Sequence, residues 1–149
     1  MWLRTTCWGE WRATVTGLHV ESRQVILTVL VVEDEWLVRA DVAAFLRAAG
    51  CRVIEAPDGE TALALIEDGA LFDVLFTDIA LGGRVNGWDL GEKLRVQRPR
   101  AGVIYASGCY CDPCRPVAGS VSMTKPYSCD DVLRTCHGMC GAGAPRAAS

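Results

Sequence analysis

The chain has 149 residues, 50% of them hydrophobic and 22% charged, with a formal net charge of −3. That is one domain's length with apolar mass enough for a core, which excludes disorder, collagen and coiled coil, and the acidic balance argues against a nucleic-acid partner. No apolar run reaches the roughly 20 residues that span a bilayer, and no apolar stretch follows Arg4, so the expectation is a cytoplasmic protein with no signal peptide and no membrane partner.

Residues 1–24 show no period, although they hold Trp2, Trp8 and Trp11. They read as an unpatterned N-terminal extension; a partner-docking arm is the sharper alternative. From Val25 the pattern changes. Residues 25–32 (VILTVLVV) form a β-branched apolar run, the mark of a strand buried on both faces. The acidic run Glu33, Asp34, Glu35 follows. Val38, Val42, Phe45 and Ala49 then recur at helical spacing until Gly50. Residues 52–55 predict a second strand, and Asp58 can cap a helix carrying Ala62, Leu63 and Ile66 that ends at Gly69. Residues 72–77 (FDVLFT) predict a third strand, ending at Asp78. A glycine-rich loop (Gly82, Gly83, Gly87) precedes a helix over 88–96, with Leu90 and Leu94 one turn apart. Residues 102–106 predict a fourth strand ending at Ser107, and residues 120–124 a fifth ending at Lys125. Ser128 or Asp130 can cap a last helix with Val132, Leu133 and Cys136. The compact domain is placed at 25–138, and residues 139–149 read as a small-residue tail.

Strand and helix alternate with short connections. That predicts an α/β fold, a doubly wound five-stranded parallel sheet with helices on both faces. In such sheets the site lies beyond the carboxyl ends of the strands. In the common order 2-1-3-4-5, Glu33, Asp34, Asp78, Ser107 and Lys125 converge on one edge. Converging carboxylates repel one another, and a hard divalent cation resolves the conflict. Mg²⁺ is therefore the expected cofactor. With it bound, Asp78 can act as a carboxylate nucleophile toward phosphorus, while the cation, Lys125 and Ser107 each stabilise a peripheral oxygen.

VLVVEDE, EAPDGETAL, LFTDIAL, the NGWDL stretch, YASG and KPY stand in order at successive strand ends. In these motifs residues 25–138 resemble the receiver domain of two-component response regulators, the CheY-like superfamily. The resemblance implies a flavodoxin-like fold. It implies Asp78 as phosphoacceptor and Glu33 and Asp34 as the metal-binding pair. It makes Ala80 the backbone-carbonyl metal ligand, Ser107 the hydroxyl that follows the phosphoryl group, and Lys125 the family's invariant lysine. The implied donor is a histidine kinase or phosphotransfer protein. The implied role is phosphoacceptor signalling rather than a separate enzyme activity, with autophosphorylation and autodephosphorylation chemistry of its own.

Two departures stand out. Many receivers carry an aromatic residue three positions before the lysine, where this chain has Ser122. The stretch between Ser107 and Lys125 is also short and holds Pro113 and Pro116, so the helix expected there is a turn or less, or irregular. Both features resemble single-domain receivers whose fourth strand ends aromatic-Ala-Thr-Gly-Tyr; here it reads Tyr105-Ala106-Ser107-Gly108-Cys109. Rearrangement of residues 108–119 is the natural substitute for the missing aromatic switch.

Eight cysteines are many for this length. The strand and helix patterning is unlike a loop-rich disulfide scaffold, so the thiols are expected reduced. Cys109, Cys111 and Cys114 together with Cys136, His137 and Cys140 invite a structural zinc site, and Cys111 with Cys114 a redox pair. A helix running away from the site, however, covers about 15 Å in ten residues, which would carry Cys140 toward the opposite edge. His19 and His137 are isolated and read as surface residues.

The expected function is phosphoryl reception onto Asp78, with output through a downstream protein or as a phosphate sink. Too few residues follow the last helix for a DNA-binding domain. A pseudo-receiver that is never phosphorylated and a receiver fragment of a hybrid kinase are the alternatives. An aspartyl-phosphate phosphohydrolase would need a second Asp two residues after Asp34, where Trp36 stands. A flavin-binding protein would need a phosphate loop where the acidic EDE run stands.

Overall fold

The structure, a computed structural model, describes residues 25–108 and 114–141. The elements alternate as β1 (Thr28–Val32), α1 (Trp36–Ala48), β2 (Arg52–Ala56), α2 (Gly59–Glu67), β3 (Val74–Asp78), α3 (Gly87–Gln97), β4 (Gly102–Ser107), β5 (Val121–Thr124) and α4 (Cys129–Gly141). The five strands form one sheet in the order β2-β1-β3-β4-β5, every pairing parallel.

Alternation along the central strands builds two cores. Leu30, Val32, Leu75, Val103 and Tyr105 face one side, where α2 brings Ala62 and Ile66 and α3 brings Trp88, Leu90 and Leu94. Val29, Val31, Val74, Phe76, Ile104 and Ala106 face the other, against Val42 and Leu46 of α1 and Val132 and Cys136 of α4. These strands are buried on both faces, which is why they read as unbroken apolar runs.

Some boundaries differ from the sequence expectation. The apolar run from Val25 overstates β1: Val25 and Ile26 are exposed and only Leu27 onward enters the core. The helical stripe of α1 centres on Val42, Ala43 and Leu46; Ala49 lies past the helix as its C-cap and is exposed. Strand β3 starts at Val74, and just ahead of it the Asp73 carboxylate accepts the Thr28 N–H at 2.9 Å. Asp58 caps α2 and Ser128 caps α4, each accepting a backbone N–H. Gly50 and Gly69, at φ +89° and +78°, close α1 and α2 in the left-handed region.

Among the described residues no helix lies between β4 and β5, and residues 109–113 fall outside them. The N-terminal extension, Cys109, Cys111 and the end of the tail also lie outside the described residues. Helix α4 continues to Gly141, and Met139 packs on Gly102, the first residue of β4. Cys140 therefore lies toward the strands' amino ends, away from Ser107. Among the described residues no helix is long and apolar enough to cross a membrane.

Candidate functional site

Parallel register explains why distant residues meet. Val32 pairs with Thr77, and Asp78 pairs with Ala106, so Glu33, Asp78 and Ser107 emerge from β1, β3 and β4 at one level. Ser107 pairs in turn with Thr124, and the Lys125 N–H donates to the Ser107 carbonyl at 2.8 Å. The peptide bond between Lys125 and Pro126 is cis.

The Lys125 ammonium joins two carboxylates. Nζ donates to Asp78 Oδ2 at 2.6 Å and to Glu33 Oε2 at 3.0 Å. The other oxygens are held by backbone: Asp78 Oδ1 accepts the Ala80 N–H at 3.0 Å, and Glu33 Oε1 accepts the Glu35 N–H at 3.2 Å. Glu33 and Asp78 are only 2% and 7% exposed, whereas Asp34 faces solvent. Burial pushes the Glu33 carboxyl above its usual range; the Lys125 hydrogen bond and the Glu35 N–H oppose this, and the nearby Asp78 charge adds to it. For Lys125 burial works against the charge, but its bonds to Asp78 and Glu33 outweigh it and raise the ammonium's pKa.

One ammonium does not balance three carboxylates. Oxygens of Glu33, Asp34 and Asp78 lie within 4.8 Å of one another, the one such cluster of metal-ligating side chains among the described residues. An all-oxygen set of this charge and closeness fits a hard divalent cation such as Mg²⁺. Ala80, bound to Asp78 through its N–H, sits where the loop leaves β3.

Several supporting residues gave no sequence signal. Arg39 donates to the Glu33 carbonyl at 2.7 Å and pairs with Glu55 at 3.5 Å, anchoring the acidic turn to α1 and β2. The buried Thr77 hydroxyl donates to the Asp78 carbonyl at 2.8 Å. Tyr127 packs edge-on against Phe76 with ring centroids 5.4 Å apart, and burial pushes its phenol up to about 12. Only the fold brings Arg39 to Glu55 and Tyr127 to Phe76. Gly87 could be read only as part of a glycine-rich loop. In the structure it lies directly on the backbone of Asp78 and Ile79, and its N–H donates to the Ile79 carbonyl at 3.0 Å.

Residues 29–113 match the family described as "response regulator receiver domain". Among solved structures, a response regulator receiver protein of Sinorhizobium medicae WSM419 superposes with a TM-score of 0.75 at 24% identity, covering 79% of this chain and 97% of that one. The receiver domain of the hybrid histidine kinase CckA gives 0.63 at 30% identity, covering 75% and 97%. Chemotaxis response regulator CheY4 of Vibrio cholerae gives 0.66 at 24% identity, covering 76% and 98%. At 24% identity the likeness speaks for the fold. A cyclic di-GMP phosphodiesterase of Thermotoga maritima is 34% identical over 86 residues, which is 58% of this chain and 22% of that protein's length.

Proposed function

Since the chain belongs to the response regulator receiver domain family of two-component systems, we propose that it accepts a phosphoryl group on Asp78 from a phosphohistidine of a histidine kinase or phosphotransfer protein, in a Mg²⁺-dependent reaction. The observation that carries the reading is the Lys125 ammonium bound to both Asp78 and Glu33, with Asp34 beside them.

In the transfer, an Asp78 carboxylate oxygen forms the bond to phosphorus as the donor's P–N bond breaks, and the imidazole nitrogen leaves with the electron pair. The Ala80 N–H fixes Oδ1 and so orients the carboxylate. Lys125 can move from Asp78 Oδ2 to an oxygen of the incoming group, keeping its hold on Glu33. Ser107, at the end of β4, supplies a hydroxyl toward another such oxygen. Glu33, Asp34, Asp78 and the Ala80 carbonyl would hold the Mg²⁺, which when bound neutralises charge on the transferring group. Water attack on the acyl phosphate returns the Asp78 carboxylate and releases inorganic phosphate. Output is by contact with a downstream protein or by draining a shared kinase.

A second reading, a receiver segment of a hybrid kinase, is favoured by the likeness to the CckA receiver and uses the same chemistry. The test is incubation with a small-molecule phosphodonor, with and without Mg²⁺, followed by intact mass and an Asp78→Asn control. A Mg²⁺-dependent, base-labile adduct absent from the variant is expected. No adduct from either the small donor or a phosphorylated kinase would overturn the reading in favour of a pseudo-receiver.

A further inference from the structure

The loop between β3 and α3 carries Ala80 at one end and Gly87 at the other. Its inner side faces the acidic cluster: a side chain on Gly82 would lie 3.4 Å from Asp34 Oδ2. Its outer side is held by the first turn of α2. There the Glu60 carboxylate accepts the Arg84 N–H at 2.7 Å. The amides of Arg84, Glu60 itself and Val85 together hold that carboxyl below its usual range. Glu60 also lies flat on Gly83, where a Cβ would sit 2.5 Å from Oε1 and 2.8 Å from Cδ. Beside it Gly59 packs on the Val85 backbone, 2.8 Å from Val85 C to the place a Cβ would take. The loop is thus wedged between α2 and the carboxylates, and Glu60 is the side chain that pins it. Glu33 directly follows β1 and Asp78 ends β3, whereas Ala80 lies on the loop.

We infer that Glu60 is a positioning residue of the cation site: by gripping the Arg84 amide and lying against Gly83 from outside, it keeps the loop, and with it the Ala80 carbonyl, in place for Mg²⁺. The inference rests on the reading of Ala80 as a ligand. Glu60 touches neither the cation nor the phosphoryl group. Partners one step removed from a metal typically change its affinity 10–100-fold when lost. A single exposed clamp belongs at the lower end.

The test is an amide-resolved NMR titration of the full chain with Mg²⁺ alone, on wild type, Glu60→Gln, Glu60→Ala and Gly83→Ala. Glu60→Ala should weaken Mg²⁺ binding about 10-fold and speed hydrogen exchange at Arg84 and Val85. Glu60→Gln, which keeps one acceptor oxygen, should fall between it and wild type. Gly83→Ala drives a methyl into the same carboxylate from the loop side and should weaken binding with Glu60 intact. Melting curves on all four proteins separate this from loss of fold. If wild type binds Mg²⁺ and both Glu60→Ala and Gly83→Ala bind it within about two-fold, well short of the expected loss, the positioning role is refuted. If wild type binds none, the cation reading itself fails and takes this inference with it.

Discussion

Replacing Gly87 with alanine tests whether α3 is seated on the backbone of Asp78. The new Cβ would lie 2.8 Å from Ile79 Cα and 3.0 Å from Asp78 C, and closer still to the Asp78 carbonyl oxygen. Comfortable carbon contacts lie at about 3.5–4.0 Å, so the helix start or the Asp78 backbone must give by roughly 1 Å. All three obstructing atoms are backbone, and no side chain can swing away. Overpacking of this kind costs about 1–3 kcal/mol, and losing the bond from the Gly87 N–H to the Ile79 carbonyl adds about 1 kcal/mol. The better helix propensity of alanine returns at most about 1 kcal/mol. The net expectation is a destabilisation of about 2 kcal/mol, or roughly 10 °C in melting temperature. With Asp78 as the proposed phosphoacceptor, a displacement of about 1 Å beside it should also slow acyl-phosphate formation on the order of 10²-fold. Gly82→Ala is the internal control: its nearest neighbour is Asp34 Oδ2 at 3.4 Å, an ordinary contact, so stability should change by less than about 0.5 kcal/mol. Urea and thermal melts with phosphorylation rates would decide it. If Gly87→Ala melts and reacts like Gly82→Ala, the close seating of α3 on Asp78 is wrong.

Tyr105 is fully buried against Trp88, with ring centroids 4.4 Å apart, yet among the described residues its hydroxyl makes no hydrogen bond of normal geometry. The Val117 carbonyl beside it already accepts the Ser120 N–H and hydroxyl. Tyr105→Phe should therefore be neutral or stabilise by up to about 1 kcal/mol in urea melts, and a loss above that would show that the hydroxyl is well paired. Asp89 sits in the capping box of α3; burial raises its carboxyl, but the Asn86 N–H and Arg115 outweigh this and hold it below the usual range. With the folded value lowered, its stabilisation is complete above the unfolded pKa of about 4 and is lost as pH falls through the folded value. Asp89→Asn should flatten the fall in melting temperature of that acid window, and an unchanged slope would refute it. Burial pushes the Cys136 thiol up to about 12. It should resist iodoacetamide at pH 8 in the native protein and react in urea; native alkylation at a surface-thiol rate would contradict its place in the core.

Much of this protein could be read from its residues because the governing rules are local. Apolar runs of β-branched residues mark strands buried on both faces, and each run stops at a residue with chemistry: Glu33, Asp78, Ser107 and Lys125. Once parallel strands are assumed, their ends share an edge, so the convergence of these groups follows from order alone. What the sequence could not decide depended on register and distance. The run from Val25 looked uniform, but the strand pairs only from Thr28 on, and Val25 and Ile26 ahead of it stay exposed. That Lys125 reaches both Asp78 and Glu33, that Arg39 ties the acidic turn to Glu55 of β2 and that Glu60 pins a loop from another helix are contacts between different elements, set by tertiary packing. The glycines divide in the same way. Gly82, Gly83 and Gly87 are equal in composition, yet only the fold puts an ordinary contact with Asp34 at one, the Glu60 carboxylate at another and the backbone of Asp78 at the third.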